Sequence, residues 1–258
     1  MDLRLRGRTA LVTGSARGTG LVIARRLVEE GARVLVHGLE PGQAERAVGE
    51  IGAGLPVTGD ITTDAGASAL LEQCRDETID ILVNNYGTAD AGTWEESGTD
   101  DWLASYQRNV LSAQRLIRAL LPAMRARDFG RIINLGTVGS TRPNARMPHY
   151  YAAKGALATM TISLAREVAG TAIRVNLVSP GLILTPEVEA AWLRRGQEQG
   201  WGTTWAEIEP HVAADIPIRR IARREEVADL VAFLASPRAD AIHGQNIRID
   251  GGALETLT

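Results

Sequence analysis

Hydrophobic residues follow a repeating pattern along the chain. Short runs rich in Val, Ile and Leu alternate with helix-length amphipathic segments, and the runs predict seven strands, at 9–13, 33–37, 55–58, 80–84, 131–136, 172–178 and 245–249. Such an order is typical of βαβ units around a parallel sheet. No linker rich in Pro, Ser or Gly divides the chain, so we expect one α/β domain over residues 1–258, doubly wound with helices on both faces of the sheet.

The longest interruption of this alternation lies at about 186–216, after the sixth predicted strand. Its composition is helical, and it carries Trp192, Trp201 and Trp205. We predict a helical lid whose tryptophans exclude water from a substrate pocket. The alternative is that they pack a small core of the segment's own or a subunit interface.

Composition narrows the classes of function. The chain has 28 basic and 31 acidic residues, a net charge of −3 and 45% hydrophobic residues, which favours a sizeable core over disorder or a nucleic-acid-binding stripe. Cys74 is the single cysteine, and no Cys or His cluster has metal-ligand spacing, so we predict no metal site. A secretion signal and an apolar stretch of about 18 residues are both missing from the sequence, so we expect a cytoplasmic protein without membrane contact.

Among the basic residues, only Lys154 is a lysine. A coding bias toward arginine would have replaced this one too unless the position needs an amine, whose pKa can shift and whose contacts are compact. Tyr150 lies four residues earlier, on the same face of a predicted helix. We expect the ammonium to lower the pKa of Tyr150 toward the working range of an acid/base catalyst. Tyr151 is the alternative that spacing leaves open.

A glycine-rich turn follows the first predicted strand and opens an amphipathic helix. It has G-x-x-x-G-x-G spacing and includes Gly14, Ser15, Arg17, Gly18, Thr19 and Gly20. Glycines let the backbone approach a ligand closely, and free N–H groups at a helix N-terminus attract phosphate. We interpret the turn as a phosphate-binding loop for a dinucleotide. A tight strand-to-helix turn without a ligand is the alternative.

These motifs, in this order, resemble the short-chain dehydrogenase/reductase family nearly from end to end. The resemblance also includes Asp60-Ile61, Asn84-Asn85-Tyr86-Gly87, Asn109, Pro180-Gly181, Phe233-Leu234-Ala235-Ser236 and Asp250-Gly251-Gly252. It implies a Rossmann fold and an oxidoreductase that moves hydride between a nicotinamide cofactor and a carbonyl or secondary alcohol. It further implies a homotetramer or homodimer that uses the long helices near 102–127 and 150–169.

The resemblance implies roles for single residues. Tyr150 would exchange a proton with the substrate oxygen, Lys154 would hold the nicotinamide ribose, and Asn109 would seat a water that links Lys154 to solvent. For Asn109 the alternative is a local hydrogen bond to helix backbone. Implied cofactor contacts are to adenine at Asp60, to the ribose region at Asn85 and Gly87, and to the carboxamide at Ile183 and Thr185, with Ile61, Tyr86, Pro180 and Gly181 beside them.

One catalytic position departs from the family pattern. The family's serine normally stands thirteen residues before the tyrosine, where this chain has Thr137. Threonine still donates a hydrogen bond, but its β-branch stiffens the side chain and narrows the pocket. Ser140 is the alternative hydroxyl. Counting thirteen back from Tyr151 gives Val138, which has no hydroxyl, and this favours Tyr150.

Cofactor choice depends on the end of the second strand. Family members that prefer NAD commonly place an acid there, whereas this chain has Gly38 followed by Leu39. Without that carboxylate a 2′-phosphate is not repelled, and Arg17 can pair with it. We predict NADP(H) over NAD(H). The missing arginine at Leu39 and the nearby Glu40 keep NAD(H) as the alternative.

The resemblance is closest to 3-oxoacyl thioester reductases and polyketide ketoreductases, which implies a small-molecule carbonyl or alcohol substrate. Acyl carrier protein is a candidate partner if Arg125, Arg127 and Arg131 form a docking patch and not a solvated surface.

Tyr86 stands where alanine is usual, so its ring must fit beside the cofactor or face the pocket. We place the substrate pocket at Val138, Ser140, Met147, Trp192, Trp201 and Trp205. The alternatives are a dehydrogenase of another secondary alcohol and, outside enzymes, a dinucleotide-binding regulator without turnover.

Overall fold

The computed structural model describes residues 1–256 and contains a sheet of seven parallel strands. All seven coincide with the predicted runs to within two residues at each end. They are β1 (Thr9–Val12), β2 (Arg33–Gly38), β3 (Leu55–Thr58), β4 (Ile81–Asn84), β5 (Gly130–Leu135), β6 (Ile173–Pro180) and β9 (Asn246–Ile249). Two strands too short for a hydrophobic pattern to predict, β7 (Ile183–Leu184) and β8 (Ala222–Arg223), pair with each other in parallel.

Helices fill every crossover between these strands, as the amphipathic segments predict. Within the described residues they are α1 (Gly18–Glu29), α2 (Gln43–Ile51), α3 (Asp64–Gln73), α4 (Thr99–Tyr106), α5 (Ser112–Ala126), α6 (Pro148–Glu167), α7 (Pro186–Glu198), α8 (Trp205–Val212) and α9 (Arg224–Ala235). None of the helices in residues 1–256 is long and apolar enough to cross a bilayer.

The strands run in the order β3-β2-β1-β4-β5-β6-β9. The chain therefore winds outward from β1 in one direction and then, from β4, in the other. Crossovers on opposite sides of this point leave a crevice at the carboxyl ends of β1 and β4, which is where ligands bind in open α/β sheets. Every residue of β1, β4 and β5 is buried, which explains why these strands are continuous apolar runs and not alternating ones.

Two hydrophobic clusters cover the two faces of the sheet. One joins residues of α1 and α9 to one face, with Ile23, Leu27 and Val231 fully buried. The other packs α3, α5 and α6 on the opposite face, around residues such as Leu70 and Leu116. The predicted α/β fold with helices on both faces is confirmed.

The long helix predicted near 102–127 is present but interrupted. Between α4 and α5 one turn, Gln107–Leu111, has π-helical hydrogen bonding, which accommodates an extra residue in the turn. The segment at 186–216 contains α7 and α8, as its composition predicts, and lies between β7 and β8.

Candidate active site

The turn after β1 has the shape that a phosphate group requires. Gly14 and Gly18 have positive φ angles of 61° and 62°, and α1 begins at Gly18. A Cβ atom on Gly20 would overlap the carbonyl oxygen of Gly14 and the side-chain nitrogen of Asn85. Only glycine therefore allows this close packing. The free N–H groups of the first turn of α1 lie at the same place, at the positive end of the helix dipole.

Two predicted cofactor-binding residues hold this loop in place. Asn85 donates its side-chain N–H groups to the carbonyl oxygens of Thr13, at 2.9 Å, and Gly14, at 3.2 Å. Ser15 donates its hydroxyl to the carbonyl oxygen of Val12 at 2.7 Å. Both side chains therefore act on the backbone of the loop in this structure.

Sequence reasoning missed His37, a fully buried residue of β2 that contacts the same loop. Its Nδ1 accepts a hydrogen bond from the backbone N–H of Gly14 at 2.9 Å, and its Nε2 bonds the carbonyl oxygen of Gly59 at 2.8 Å. Burial lowers the pKa of His37, so the ring is neutral at pH 7. The available signal was a histidine inside an otherwise apolar strand run.

Helix α6 places Tyr150 and Lys154 one turn apart on one face. Pro148 starts this helix, where its missing N–H is not needed. Lys154 is 4% exposed and donates from Nζ to the carbonyl oxygen of Leu135 at 2.8 Å. The Nζ atom lies 5.9 Å from the centroid of the Tyr150 ring. The predicted pair is therefore present, with its ammonium hydrogen-bonded to the end of β5.

The predicted lowering of the tyrosine pKa is wrong for this structure. Burial raises the pKa of Tyr150 to about 12, and the nearby side chain of Thr137 opposes this rise without reversing it. Burial also lowers the pKa of Lys154 to about 8. Desolvation penalises the charged form of each group, which raises the pKa of the phenol and lowers that of the ammonium. Tyr150 is therefore a neutral O–H donor at pH 7.

The hydrogen bonds separate the alternative hydroxyl and tyrosine residues. The side chain of Thr137 lies near Tyr150 and acts to lower the pKa of its phenol, while its hydroxyl oxygen accepts from the backbone N–H of Gly139 at 3.2 Å. Ser140 instead donates its hydroxyl to the carbonyl oxygen of Thr137 at 2.8 Å. The hydroxyl of Tyr151 accepts from the side chain of Asn144 at 3.0 Å. This geometry favours Thr137 and Tyr150 over their alternatives.

Asn109 lies in the π-helical turn and is 1% exposed. Its Nδ2 donates to the carbonyl oxygens of Thr88, at 3.1 Å, and Ser105, at 3.0 Å. Its Oδ1 is buried with no hydrogen-bond partner among residues 1–256. A Cβ atom on Gly87 would lie 2.5 Å from this oxygen and 3.2 Å from Nζ of Lys154. The local backbone bond expected as the alternative is present, but it leaves one acceptor free beside Lys154.

The adenosine end of the crevice is formed where β2 and β3 end. Gly38 is the last residue of β2, and a Cβ atom there would lie 2.8 Å from the Cβ of Gln43. The Oε1 of Gln43 accepts from the backbone N–H of Leu39 at 3.1 Å. Exposed Asp60 and buried Ile61 follow β3, which pairs with this end of β2. The structure therefore brings the predicted adenosine residues together.

The segment after β6 carries the residues implied for the carboxamide. Pro180 ends β6, and the next residue, Gly181, lies in a tight position where a Cβ atom would be 3.0 Å from Asp250. Ile183 lies in β7. Thr185 caps α7, because its hydroxyl oxygen accepts from the backbone N–H of Val188 at 3.2 Å.

The loop after β4 combines Tyr86 with a polar cluster. The Tyr86 ring is half-buried and packs against the hydrophobic cluster of α3, α5 and α6, and burial raises its pKa. Arg108 pairs with Asp90 at 2.7 Å, and Asp90 also accepts from the hydroxyl of Thr88 at 2.8 Å. Since Asn109 binds the carbonyl oxygen of Thr88, this cluster lies next to the predicted proton relay.

Two of the predicted pocket residues flank the start of α6. Val138 begins the short turn after Thr137. Met147 precedes α6 with a positive φ of 61°, and its backbone N–H donates to the carbonyl oxygen of Gly92 at 2.8 Å. This bond ties the loop after β4 to the helix that carries the tyrosine.

The tryptophans of the predicted lid pack within their own segment. The Trp201 ring stacks on Trp192, with centroids 6.3 Å apart, and on His211, at 4.9 Å. Trp205 starts α8 and is partly buried. This is the arrangement of the alternative interpretation, a small core between α7 and α8. That the same tryptophans wall a substrate pocket stays a prediction.

A doubly wound parallel sheet has a glycine-rich loop after β1 and a tyrosine, a lysine and a hydroxyl beyond the carboxyl end of β5. This arrangement is that of a nicotinamide-dependent oxidoreductase. Comparison with known sequences agrees. A family model described as enoyl-(acyl carrier protein) reductase matches residues 14–253. The 3-oxoacyl-(acyl-carrier-protein) reductase of Salmonella typhimurium is 36% identical over 249 residues, covering 95% of this chain and 97% of its own. The uncharacterized oxidoreductase YvaG of Bacillus subtilis is 33% identical over 267 residues, covering 100% of both.

Solved structures extend the likeness to three dimensions. L-sorbose reductase from Gluconobacter frateurii, in complex with NADPH and L-sorbose, has a TM-score of 0.92 at 35% identity, with 100% of both chains covered. A 3-oxoacyl (acyl-carrier-protein) reductase from Agrobacterium tumefaciens with NADP bound has a TM-score of 0.87 at 30% identity, covering 97% of this chain and 95% of its own. The chain belongs to the short-chain dehydrogenase/reductase family, and its enzyme class is an oxidoreductase acting on CH–OH or C=O groups with NAD(P).

Proposed function

We propose that the protein reduces a ketone to a secondary alcohol with NADPH. The observation that carries this proposal is the meeting of Gly87, Asn109 and Lys154 in the same site as a neutral Tyr150 that has the side chain of Thr137 near its phenol. A neutral phenol is a proton donor, and reduction of a carbonyl consumes a proton. The arrangement therefore supports the reductive direction at pH 7.

The residues present fit a nicotinamide dinucleotide. The packing at Gly14 and Gly20 admits no side chain, as a pyrophosphate cradle requires, and the Oδ1 of Asn109 is a buried acceptor without a partner. In this proposal Lys154 binds the ribose hydroxyls, and Asn109 holds a water beside Lys154. When bound, the nicotinamide supplies the hydride.

Tyr150 and Thr137 carry the chemistry on the substrate side. Thr137 donates a hydrogen bond to the substrate carbonyl oxygen and thereby orients it toward Tyr150. As negative charge develops on that oxygen, the O–H of Tyr150 delivers its proton there. The proton is replaced from solvent through Lys154 and the water held by Asn109.

The preference for NADPH over NADH rests on the end of β2. A Cβ atom on Gly38 would lie 2.8 Å from Gln43 Cβ and 3.0 Å from the backbone nitrogen of Ala44, so an NAD-type acid at this position needs α2 to move. Arg17 is exposed in the phosphate loop, where its guanidinium is available to a 2′-phosphate. Its one ion pair in the described chain, with Glu187 at 3.7 Å, joins two exposed side chains and is weak.

For the substrate, we propose a 3-oxoacyl thioester first, because the relatives that reduce such thioesters match nearly the whole chain. The candidate docking patch for acyl carrier protein gives this no support. Arg131 is 2% exposed and pairs with Asp240, and Arg125 pairs with Glu167. Arg131 also lies at the start of β5, whereas Thr137 follows the other end of the same strand.

A small polyhydroxylated ketone is the second candidate. The pair of Arg108 and Asp90 beside Thr88 offers charged groups that suit hydroxyl substituents and not an acyl chain. The structure of L-sorbose reductase, which matches the whole chain, has L-sorbose in complex. A substrate with several hydroxyl groups therefore belongs in the first panel.

The quaternary and cellular settings remain part of the proposal. A groove between α5 and α6 of about 500 Å³ has apolar side chains such as Leu121, Met160 and Leu164 beside polar ones such as Arg118 and Glu167. The apolar side chains of this groove support a homodimer or homotetramer formed through these helices. One sheet with both hydrophobic clusters supports a single catalytic domain over residues 1–258, and we propose a cytoplasmic location.

Direct binding and turnover test the proposal. Purified protein is titrated with NADPH and NADH by nucleotide fluorescence, and oxidation of NADPH is followed with 3-oxoacyl thioesters and with ketoses. We expect tighter binding of NADPH, turnover with at least one ketone, and loss of turnover in Tyr150→Phe with cofactor binding retained. Tight binding of NADPH, no turnover on either class and no effect of Tyr150→Phe would favour the dinucleotide-binding regulator instead. Preferential binding of NADH would overturn the cofactor assignment.

A further inference from the structure

The imidazole of His37 joins three segments that surround the adenosine end of the site. It projects from β2, accepts from the N–H of Gly14 in the phosphate loop at 2.9 Å, and bonds the carbonyl oxygen of Gly59 at 2.8 Å. Gly59 directly precedes Asp60, the residue implied for adenine. His37 is 0% exposed, so its effect on a ligand must pass through these segments.

The backbone of His37 adds two more bonds to the same loop. Its N–H donates to the hydroxyl oxygen of Ser15 at 2.8 Å, and its carbonyl oxygen accepts from the backbone N–H of Ser15 at 3.0 Å. The backbone pair is available to any residue at position 37. The bond to Gly14 is different, because only a side chain with an acceptor near its Cγ can make it.

One protonation state of the ring satisfies both side-chain bonds. Nδ1 must be the acceptor for Gly14, and Nε2 must then carry the proton that it donates to Gly59. Burial keeps the ring neutral, with Asp60 as the charged group that acts on it. A doubly protonated ring would face the N–H of Gly14 with a second donor.

We propose that His37 is a positioning residue for the dinucleotide, which holds Gly14 and the phosphate loop in the conformation that accepts the pyrophosphate. The inference rests on the proposed function, since it needs a dinucleotide to bind there. Without the acceptor, the N–H of the partly buried Gly14 must find another partner, so the loop populates other conformations. Cofactor affinity then falls in proportion to the population that remains competent.

Two substitutions at position 37 separate the two ring nitrogens. Asn places its Oδ1 where Nδ1 of His37 lies, so His37→Asn keeps the bond to Gly14 and loses the bond to Gly59. Gln reaches the position of Nε2, so His37→Gln keeps the bond to Gly59 and loses the bond to Gly14. We expect His37→Gln to raise the Kd for NADPH about tenfold, and His37→Asn to stay within about threefold of wild type. The kcat at saturating cofactor should stay within about threefold in both.

His243 provides a matched control elsewhere in the chain. Its Nδ1 accepts from the backbone N–H of Val175 at 3.2 Å, and its Nε2 bonds the carbonyl oxygen of Ala165 at 2.8 Å. His243→Gln and His243→Asn therefore remove bonds of the same kind between β6 and α6. We expect both to leave the Kd for NADPH at the wild-type value, whatever they do to the Tm.

The outcomes separate this inference from the proposed function. If wild-type protein binds neither NADPH nor NADH, the proposed function fails and the inference with it. If wild type binds NADPH and the two His37 variants share one Kd, the inference alone is overturned. Should His37→Gln not fold, the ¹⁵N-histidine spectrum of wild type decides. We expect a neutral Nε2–H signal that moves on adding NADPH and persists in His243→Asn, and a signal that does not move would overturn the inference.

Discussion

The side-chain oxygen of Asn109 and the ammonium nitrogen of Lys154 converge on the Cα atom of Gly87. A Cβ atom there would lie 2.5 Å from the first and 3.2 Å from the second. The side chain of Asn109 is fixed in this position, because its Nδ2 donates to the carbonyl oxygens of Thr88 and Ser105. The loop after β4, the π-helical turn and α6 therefore meet at Gly87, where no side chain larger than hydrogen fits without displacing Asn109 or Lys154.

We expect Gly87→Ala to lower kcat/KM at least about tenfold, because the added methyl group pushes Asn109 and Lys154 out of position. Steady-state kinetics with a measured Tm check this. Gly155→Ala is the control, since a Cβ atom on Gly155 in α6 meets no atom within 4 Å. That variant should keep full activity and gain about 0.5–1 kcal/mol of stability from helix propensity. Wild-type activity in Gly87→Ala would contradict the convergence.

Lys154→Met should abolish turnover and stabilise the fold. Burial lowers the pKa of Lys154 from 10.5 to about 8. The buried charge therefore destabilises the folded state by about 3 kcal/mol at any pH below 8. The carbonyl oxygen of Leu135 loses its donor, so we expect a net gain of about 1–3 kcal/mol in the free energy of unfolding at pH 7. The gain should shrink as pH rises from 8 to 10.5. Urea denaturation at several pH values measures it, and a loss of stability at pH 7 would contradict it.

Lys154→Arg tests the amine itself. Guanidinium stays protonated, is larger and makes forked contacts, and Lys154 is 4% exposed with its Nζ fixed on Leu135. We expect a folded protein whose hydride transfer, followed by single-turnover oxidation of NADPH, is severely impaired. Near-normal turnover would refute the need for an amine at this position.

The hydroxyl of residue 137 should prove essential, while its methyl group should not. Thr137→Ser is expected to keep or raise activity, because it keeps the donor and widens the pocket. Thr137→Ala should lose most of it, at least about 100-fold in kcat. Ser140→Ala is the control, since its hydroxyl only donates to the carbonyl oxygen of Thr137. A fully active Thr137→Ala beside an inactive Ser140→Ala would reverse the assignment.

The carboxylate of Glu226 should make stability depend on pH in the acid range. Hydrogen bonds from Arg220, chiefly, and from the backbone N–H of Arg223 lower the pKa of Glu226 to about 2 from 4.5. Its contribution is present above pH 4.5 and is lost as pH falls toward 2. We expect Glu226→Gln to lower the Tm at pH 7 and the difference from wild type to shrink below pH 4.5. Glu225→Gln, at an exposed neighbour, should show neither effect.

Hydrophobic periodicity was sufficient to predict all seven strands of the main sheet. Buried parallel strands must be apolar on both faces, so a run such as Ile81–Asn84 is readable from composition alone. The π-helical turn at Gln107–Leu111 left no such trace, because one extra residue in a helix changes neither polarity nor propensity. The same holds for two-residue strands such as Ile183–Leu184.

For the site, spacing predicted which residues meet but not their electrostatics. The pair of Tyr150 and Lys154 follows from a four-residue interval in a helix. The direction of the tyrosine pKa depends on how deeply the ring is buried, which no interval encodes. The bond from Gly14 to His37 joins residues 23 apart and depends on the turn that brings β2 beside the loop.

Lys154 has one more consequence, for chemical labelling. Because it is the sole lysine of the chain, reagents that acylate primary amines can modify only one side chain, at Nζ of Lys154. This side chain lies in the proposed catalytic crevice and is 4% exposed. The mass of the intact protein after acylation therefore counts how often that crevice opens to a small electrophile, with no need to map individual peptides.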